Sequence, residues 1–336
     1  MGTLAGNRIP AQHTFRQVDR PVSKEDTLGA TGLPLTRVAA GTGTWLAFGP
    51  GADTPVTTSL ELAHALFESP AVRILDTSNN YGLGESETRI GLAIRERGGL
   101  PDDFLLQTKV DRDMATGDFS GARMRRSLEE SLERLGLERL DLVYLHDPEN
   151  TTWDESMADD GPVAELVAMR DEGLVAHIGI SGGPADMLAR YVATGLFEAL
   201  ITHNRYTLVD RGADALLTTA RDAGLGVFNA SPYGGGMLTR WPVAPGRYAY
   251  GDAPSELVRA ANEIGALCAE AGVPLAAAAL AWSLRDARID STIIGMRTLD
   301  DLRATEQLLA VEVPDSLWDA IGDVPLDPST WQDARR

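Results

Sequence analysis

The chain has 336 residues, of which 43% are hydrophobic and 24% charged, a composition typical of a globular protein with a large core. Thirty basic residues against 49 acidic ones give a formal net charge of −19, which disfavours binding to nucleic acids and to anionic membrane surfaces. A single cysteine, Cys268, excludes an internal disulfide, and no cluster of cysteine and histidine indicates a metal site.

Residues 1–25 are polar and show no periodicity, which predicts a flexible N-terminal tail before a folded region at 26–325 and a short C-terminal tail at 326–336. The first residues lack the apolar segment of a secretory signal, and no run of about 18 apolar residues occurs. We therefore expect a soluble, cytoplasmic protein.

From Leu35 onward, short apolar runs alternate with amphipathic segments. Helical patterns include 122–136 and 210–224, which end at Gly136 and Gly224, and also 255–272 and 274–286. Eight runs are predicted as strands, near 38–43, 72–76, 104–109, 141–145, 175–180, 198–202, 225–229 and 289–294.

Strands that alternate with helices indicate a parallel sheet, and eight such units predict a single-domain α/β fold, the (β/α)8 TIM barrel. An open doubly wound sheet is the competing architecture, and it normally carries a G-x-G-x-x-G turn after its first strand. Here Gly41-Thr42-Gly43 leads on to Trp45 instead, so the barrel is favoured. The Gly/Pro-rich segment 234–254 predicts a long functional loop.

Polar side chains end three successive predicted strands, namely Asp76, Lys109 and His146, and Tyr81 follows five residues after Asp76. Each alone has a structural explanation, since an Asp after a strand is commonly a helix cap and a strand-end lysine a solvated charge. Together, at the strand ends where barrels carry their chemistry, they predict a catalytic group.

This combination suits proton transfer at an oxygen while a hydride moves at the adjacent carbon. Lys109 near Tyr81 favours the phenolate and is expected to lower the pKa of the phenol, with Asp76 paired to Lys109. His146 is expected to position the substrate oxygen. A Schiff base on Lys109, as in an aldolase barrel, is the chemical alternative.

With these residues, the chain resembles the aldo-keto reductase superfamily over roughly residues 28–312. RILDTSNNYGLGESETRIGLAI is similar to the family signature that carries the catalytic Asp76 and Tyr81, while TKV and DLVYLHDPE supply Lys109 and His146. The opening TGLPLTRVAAGTGTW resembles the family's N-terminal β-hairpin and first strand. The resemblance implies an NAD(P)-dependent oxidoreductase with Tyr81 as general acid/base and long loops at the C-terminal face of its barrel.

The resemblance also implies where the cofactor, NADP or NAD, binds. HIGISGG resembles the carboxamide segment, ITHNRYTLVDR the strand-six segment, ASPYGGGML the pyrophosphate loop and IIGMRTLDDLRATEQ the adenosine segment. The predicted cofactor-binding residues are Gly43, Thr44, Ser181, His203, Asn204, Ser231, Pro232, Tyr233, Gly234, Gly235, Gly236, Gly295, Arg297, Thr298, Asp301 and Thr305.

Some positions depart from the family pattern. Gly182 replaces the usual Asn after the serine, Ala230 replaces an aromatic residue that stacks on the nicotinamide, and Thr305 replaces an adenine-binding Asn. Asp301 falls where a basic residue often binds the 2′-phosphate of NADP, which its carboxylate would repel. The choice between NAD and NADP stays open, and the pattern favours tolerance of NAD.

Within the superfamily, HDPE, RYTLVDR and SPYGGGML are most similar to aldose 1-dehydrogenases of the D-threo-aldose, L-fucose and galactose type, which oxidise a sugar hemiacetal to a lactone. The alternative is an NADPH-dependent aldehyde or ketone reductase, and a non-enzymatic cofactor-binding partner protein is more remote. The expected partner is a small sugar or carbonyl substrate, with no metal. Trp45, Trp153 and Trp241 are predicted substrate contacts, forming with Tyr233 an aromatic wall for a sugar ring. Packing in the core or at a hinge is the alternative for these tryptophans.

Overall fold

Eight parallel strands form a closed barrel in the computed structural model, which describes residues 27–46 and 53–335. In chain order the strands are β1 (Val38–Gly41), β2 (Ile74–Asp76), β3 (Leu105–Val110), β4 (Leu140–His146), β5 (Val175–Gly182), β6 (Ala199–His203), β7 (Gly226–Ala230), β8 (Arg247–Tyr248), β9 (Gly251–Asp252) and β10 (Ser291–Gly295). The barrel closes in the order β1, β10, β7, β6, β5, β4, β3, β2, and β8 pairs only with β9, in antiparallel fashion.

The predicted barrel is confirmed, because each of the predicted runs overlaps one barrel strand. The tail predicted at 1–25 lies outside the described residues.

The helices alternate with the strands. In chain order they are α1 (Val56–Glu68), α2 (Glu85–Arg97), α3 (Gly121–Leu135), α4 (Trp153–Ser156), α5 (Pro162–Asp171), α6 (Ala185–Ala193), α7 (Asp214–Asp222), α8 (Ser255–Glu270), α9 (Leu275–Arg285), α10 (Leu299–Leu309) and α11 (Asp315–Asp323). Gly136 ends α3 in the left-handed conformation (φ 71°), as predicted. The predicted start of a helix at residue 210 is wrong, because the Asp210 side chain accepts the N–H of Gly212 (2.8 Å) in a turn that precedes α7. Among the described residues, no single helix is long and apolar enough to cross a membrane, and α8 with α9 meets that test only as a pair bent by 101°.

The strands are buried on both faces, which explains their nearly continuous apolar sequences. Side chains such as Leu142, Tyr144 and Phe228 belong to a smaller cluster of buried residues, most of which come from strands around the barrel. A larger cluster joins other strand residues to the helices. The barrel therefore has a filled interior and not an open pore.

Leu28 closes the barrel at the N-terminal ends of the strands. It is fully buried, and a Cβ atom at Gly226, the first residue of β7, would lie 2.4 Å from the Leu28 Cγ atom. The predicted N-terminal hairpin is present as a single antiparallel bridge between Thr27 and Pro34. Because this end is filled, the C-terminal ends of the strands are the face on which a ligand can reach the barrel.

The segment 327–335 packs against the barrel through polar contacts. The Asp333 carboxylate accepts hydrogen bonds from the Arg205 Nε atom (2.7 Å) and from the N–H of Ala185 (2.9 Å). Arg205 is 1% exposed and follows β6 by two residues. The Arg335 guanidinium donates to the Asp252 carbonyl in β9 (2.5 Å). These contacts join the segment to the loops at the C-terminal face.

Candidate active site

The structure brings Asp76, Tyr81, Lys109 and His146 together at the C-terminal ends of adjacent strands. Asp76 ends β2, Lys109 is the penultimate residue of β3 and His146 ends β4. In a parallel barrel, the register aligns these ends, so residues far apart in sequence become neighbours. Tyr81 reaches the same place from the loop between β2 and α2, in a turn closed by its N–H and the Ser78 carbonyl (3.1 Å).

The Lys109 ammonium is held by three acceptors. Its Nζ atom donates to Asp76 Oδ2 (2.8 Å), to the Thr77 carbonyl (2.7 Å) and to the Tyr81 hydroxyl (3.1 Å), and it lies 4.6 Å from the Tyr81 ring centroid. The second carboxylate oxygen of Asp76 accepts from Gln107 Nε2 (2.9 Å). Both members of the ion pair are almost fully buried, so the position of the charge beside the phenol is fixed.

Gly43 allows the loop after β1 to lie against the Tyr81 ring, since a Cβ atom there would be 3.2 Å from Tyr81 Cζ. Burial, together with the carboxylates of Asp76, Asp147 and Asp111, raises the pKa of Tyr81 well above its usual value. The expectation that Lys109 lowers this pKa is therefore not met by the protein's own groups. Burial is the largest cause, and the charges of the three carboxylates act in the same direction. Tyr81 is a neutral phenol over the ordinary pH range.

His146 lies edge-to-face against Tyr81, with 6.0 Å between the ring centroids. Its Nδ1 atom is 2.6 Å from Asp111 Oδ2 and 3.2 Å from Ser78 Oγ, and its Nε2 atom is 3.6 Å from Asp147 Oδ1. Burial acts to lower the pKa of His146, but the charges of Asp147 and Asp111 raise it overall. Asp111 is not among the residues predicted from the sequence, although its position two residues after Lys109, just beyond the end of β3, is a signal for it.

The residues predicted for the nicotinamide end occupy the ends of β5 and β6. Ser181 is buried, and it pairs in register with His146 of β4. His203 ends β6, and Asn204 follows it with a left-handed backbone (φ 58°) and a buried Oδ1 atom that has no hydrogen-bond partner among the described residues. Gly182 replaces the Asn that is usual in the family, and a Cβ atom on Gly182 would lie 2.9 Å from a carboxylate oxygen of Glu149. The Glu149 side chain thus occupies space beside Gly182.

The predicted pyrophosphate loop has a continuous left-handed turn. Gly234, Gly235 and Gly236 have φ values of 57°, 71° and 97°, and Ser231 before them also has a positive φ of 58°. A Cβ atom on Gly234 would lie 2.2 Å from the Tyr248 ring, so the turn packs directly on β8. Of the other residues in this loop, Pro232 is buried and Tyr233 has a buried hydroxyl without a partner in the part of the chain described.

The predicted adenosine segment begins α10. Thr298 caps the helix, and Asp301 Oδ2 accepts from the backbone N–H groups of Arg297 (2.8 Å) and Thr298 (3.0 Å). The Thr305 hydroxyl donates to the Asp301 carbonyl (2.9 Å), and the residue is 4% exposed. Asp301 therefore has a structural role at the start of the helix, and the predicted contact of Thr305 with the cofactor gains no support.

Gly295 and Thr44 meet at the ends of β10 and β1. A Cβ atom on Gly295 would lie 2.9 Å from Thr44 Cγ2, so the absence of a side chain lets the two segments approach. Both residues are exposed at the C-terminal ends of their strands.

The three tryptophans predicted as substrate contacts have packing roles in the structure. Trp45 is fully buried and its indole N–H donates to the Met296 carbonyl (2.7 Å). Trp153 stacks on the α6 residue Tyr191 (4.8 Å between centroids), and Trp241 donates to the Asn262 carbonyl on α8 (3.2 Å). Within the described residues, no ring contact joins these indoles to one another or to Tyr233, and Trp241 alone of the three is exposed (44%).

Tyr250, at the turn between β8 and β9, is an exposed aromatic residue beside His203. It is 67% exposed, and its ring lies edge-to-face on His203 with 5.6 Å between centroids. Its hydroxyl lies 3.4 Å from the Nδ1 atom of His203, the last residue of β6. Its place in the 234–254 loop was the only signal for it in the sequence.

Comparison with known proteins agrees with this geometry. Residues 40–324 match the model of the Aldo/keto reductase family. The chain is 33% identical to D-threo-aldose 1-dehydrogenase of Pseudomonas sp, over 77% of this chain and 85% of that protein. It is 30% identical to L-galactose dehydrogenase of Arabidopsis thaliana, over 86% and 88% respectively. The solved holo form of an aldo-keto reductase from Bacillus halodurans has the same fold, with a TM-score of 0.74, 21% identity and coverage of 97% of this chain and 100% of that one.

Proposed function

This chain belongs to the aldo/keto reductase family and is an NAD(P)-dependent oxidoreductase, and from this premise we propose that it oxidises C1 of an aldose hemiacetal to a lactone. The observation that carries the proposal is the 3.1 Å contact between the Lys109 ammonium and the Tyr81 hydroxyl, beside His146. Two relatives are named as dehydrogenases of D-threo-aldose and L-galactose, which supports a sugar as the substrate.

The residues present fit a nicotinamide dinucleotide. The buried Asn204 Oδ1 atom, without a partner among the described residues, and the neighbouring Ser181 would hold the carboxamide. The left-handed turn at Gly234–Gly236 leaves room for the pyrophosphate, and the positive charge of the Arg297 side chain would attract a phosphate. Bound there, the nicotinamide supplies or accepts the hydride.

The chain's own residues handle the oxygen. Oxidation removes a hydride from C1 and a proton from its hydroxyl group, and reduction returns both. In our proposal, the Tyr81 hydroxyl is the general acid/base at this oxygen, Lys109 and Asp76 hold it in place, and His146 orients the oxygen between them. Burial of the group excludes bulk water, which strengthens each of these interactions.

A second candidate is the reverse reaction, reduction of an aldehyde or ketone. The raised pKa of Tyr81 favours it, because a neutral phenol is ready to donate a proton to a developing alkoxide. A Schiff base on Lys109 is disfavoured. That reaction needs an uncharged amine, whereas three acceptors, one of them a carboxylate, stabilise the ammonium.

A substrate panel tests the proposal. Purified protein is mixed with aldoses and NAD⁺ or NADP⁺, and with aldehydes and ketones and the reduced cofactors, and the near-ultraviolet absorbance of the reduced nicotinamide is followed. We expect turnover of at least one aldose, with a lactone as product. Turnover of simple carbonyls alone would replace the aldose proposal by the reductase. Cofactor binding without any turnover would favour a non-enzymatic partner protein, and trapping of a carbonyl substrate on Lys109 by borohydride would favour an aldolase.

A further inference from the structure

The Asp147 carboxylate lies beside the acid/base group, and the protein leaves most of its hydrogen-bonding capacity unused. Its Oδ1 atom is 3.6 Å from His146 Nε2, which is too long for a hydrogen bond, and 31% of the side chain is exposed. Within residues 27–46 and 53–335, no group donates a hydrogen bond to this carboxylate. A carboxylate can accept about four hydrogen bonds, so Asp147 can bind donors of a ligand.

The two buried carboxylates of the same site are already occupied. Asp76 accepts hydrogen bonds from two side chains, at 2.8 and 2.9 Å. Both oxygens of Asp111 have partners, one of them the N–H of Arg112 (2.7 Å) and the other His146 Nδ1 (2.6 Å). Of these three carboxylates, Asp147 is therefore the one that a substrate can engage.

The backbone directs the Asp147 side chain towards the site. Successive side chains of an extended strand point to opposite sides, so a continued β4 would turn Asp147 away from His146. Instead, Asp147 has left-handed dihedral angles (φ 45°, ψ 56°), a conformation that aspartate adopts more readily than most residues. Its N–H donates to the Ser181 carbonyl (2.7 Å), and its carbonyl accepts the N–H of Asn150 (3.0 Å). Both bonds hold the turn and, with it, the carboxylate.

This position fits the hydroxyl group next to the reacting carbon. Because His146 Nδ1 faces Asp111, Nε2 is the ring nitrogen that is available to the C1 oxygen in the proposed reaction. Asp147 Oδ1 is 3.6 Å from Nε2, and it can therefore reach an oxygen on the carbon that neighbours C1. A carboxylate accepts hydrogen bonds and a hydroxyl group donates them, so the two groups are complementary.

We propose that Asp147 is a specificity-determining residue that accepts a hydrogen bond from the C2 hydroxyl group of the substrate. The proposal rests on the function proposed above, and Tyr81 keeps its role as the general acid/base. A 2-hydroxylated substrate satisfies the carboxylate. A 2-deoxy substrate displaces water from the carboxylate on binding and offers no donor in return, so its complex is less stable. The site thus selects substrates that carry a hydroxyl group on C2.

Paired substrates test the proposal. The aldose with the highest kcat/KM in the substrate panel is compared with its 2-deoxy analogue, and the ratio of the two kcat/KM values is measured. Asp147→Gly removes the carboxylate, and glycine adopts the left-handed conformation without strain. We expect the ratio to fall by roughly tenfold to a hundredfold in this variant. Differences in intrinsic reactivity between the two substrates cancel when the ratio is compared between proteins.

Two further variants separate this contact from general effects. In Asp147→Asn, the amide oxygen still accepts a hydrogen bond but carries no charge, so the ratio should lie between those of the wild type and Asp147→Gly. Asp154→Asn is the matched control, because it removes an exposed carboxylate from α4, in the same connection between β4 and α5. This variant should leave the ratio unchanged. A defect in folding or in cofactor binding lowers kcat/KM for both substrates alike and does not change the ratio.

An unchanged ratio in Asp147→Gly would overturn the proposal even when aldoses are oxidised. If this variant does not fold, Asp147→Asn decides in the same way. If the wild type oxidises no aldose, the proposed function fails, and a second pair of substrates tests Asp147. Lactaldehyde and propanal differ only in the C2 hydroxyl group, and their reduction by NADH or NADPH should show the same loss of preference in Asp147→Gly. Equal ratios in that experiment, or no turnover of either pair, would refute the role of Asp147 as well.

Discussion

The Lys109 Nζ atom lies 2.8 Å from Asp76 Oδ2, and the exposed fractions of the two side chains are only 2% and 4%. Removal of one charge leaves the other buried and unpaired. We expect Asp76→Asn or Lys109→Met to lower the free energy of unfolding by about 3–5 kcal/mol. Urea titration followed by circular dichroism measures this, and Asp300→Asn, which breaks an exposed pair with Arg303, is the control with no expected change. Equal stabilities of all these proteins would show that the buried pair has no structural role.

Tyr81→Phe should abolish turnover in both directions, with a loss of at least about a hundredfold in kcat, because the phenyl ring has no group to offer the reacting oxygen. The new ring still fits against Gly43, so cofactor affinity should not change. Steady-state kinetics and quenching of tryptophan fluorescence by the cofactor measure the two effects. Full activity in the Tyr81→Phe variant would remove Tyr81 from the reaction.

Ionisation of Tyr81 should be absent at neutral pH. Burial and the surrounding carboxylates raise its pKa well above the usual value, so the proton stays on the phenol until the solution is strongly alkaline. An ultraviolet difference titration of wild-type protein against Tyr81→Phe isolates its signal. A tyrosinate that forms near neutral pH in the wild type and is missing from the variant would contradict this expectation.

Gly234→Ala should destabilise the loop over the predicted pyrophosphate position. The residue has φ 57°, and a Cβ atom would lie 2.2 Å from the Tyr248 ring. We expect a loss of about 1–3 kcal/mol in the free energy of unfolding and a higher Kd for the cofactor. The matched control in the same loop is Gly246→Ala, since a Cβ atom there meets nothing within 4 Å. Similar effects of both substitutions would mean that the left-handed turn is not required.

The charge of Asp301 should influence the choice between NAD and NADP, and its hydrogen bonds should stabilise the start of α10. Asn can still accept the N–H groups of Arg297 and Thr298, so Asp301→Asn should keep the helix cap and remove the repulsion of a 2′-phosphate. We expect the ratio of kcat/KM for NADP⁺ over NAD⁺ to rise several-fold in Asp301→Asn. Asp301→Ala should give the same ratio with lower thermal stability. A strong preference of the wild type for NADP⁺ would end the expectation that it tolerates NAD.

Much of the fold could be predicted from the sequence because its signals are local. Each strand of the barrel is a short apolar run, and Gly136 marks the end of α3 through a backbone conformation that other residues rarely adopt. Asp76, Lys109 and His146 stood at strand ends, and closure of the barrel brought them together. The chemical group was thus visible as soon as the eight-strand pattern was recognised.

The rest depended on contacts between distant segments. Trp45 was predicted as a substrate contact because of its residue type, but its indole N–H donates to the carbonyl of Met296, a residue far away in sequence. Asp111 looked like one of many acidic residues until β3 and β4 were paired and its carboxylate met His146. The pKa of Tyr81 also depends on the sum of charges around it, which no single motif specifies.

The packing of Leu28 against Gly226 has an evolutionary consequence. It fills the end of the barrel that is remote from Tyr81, so that these contacts stabilise the fold at a distance from the catalytic residues. The exposed turn at Tyr250 can therefore exchange residues at small cost to folding. A duplicated copy of such a gene could acquire a different substrate by changes at the C-terminal ends of the strands only, while natural selection keeps the N-terminal ends constant.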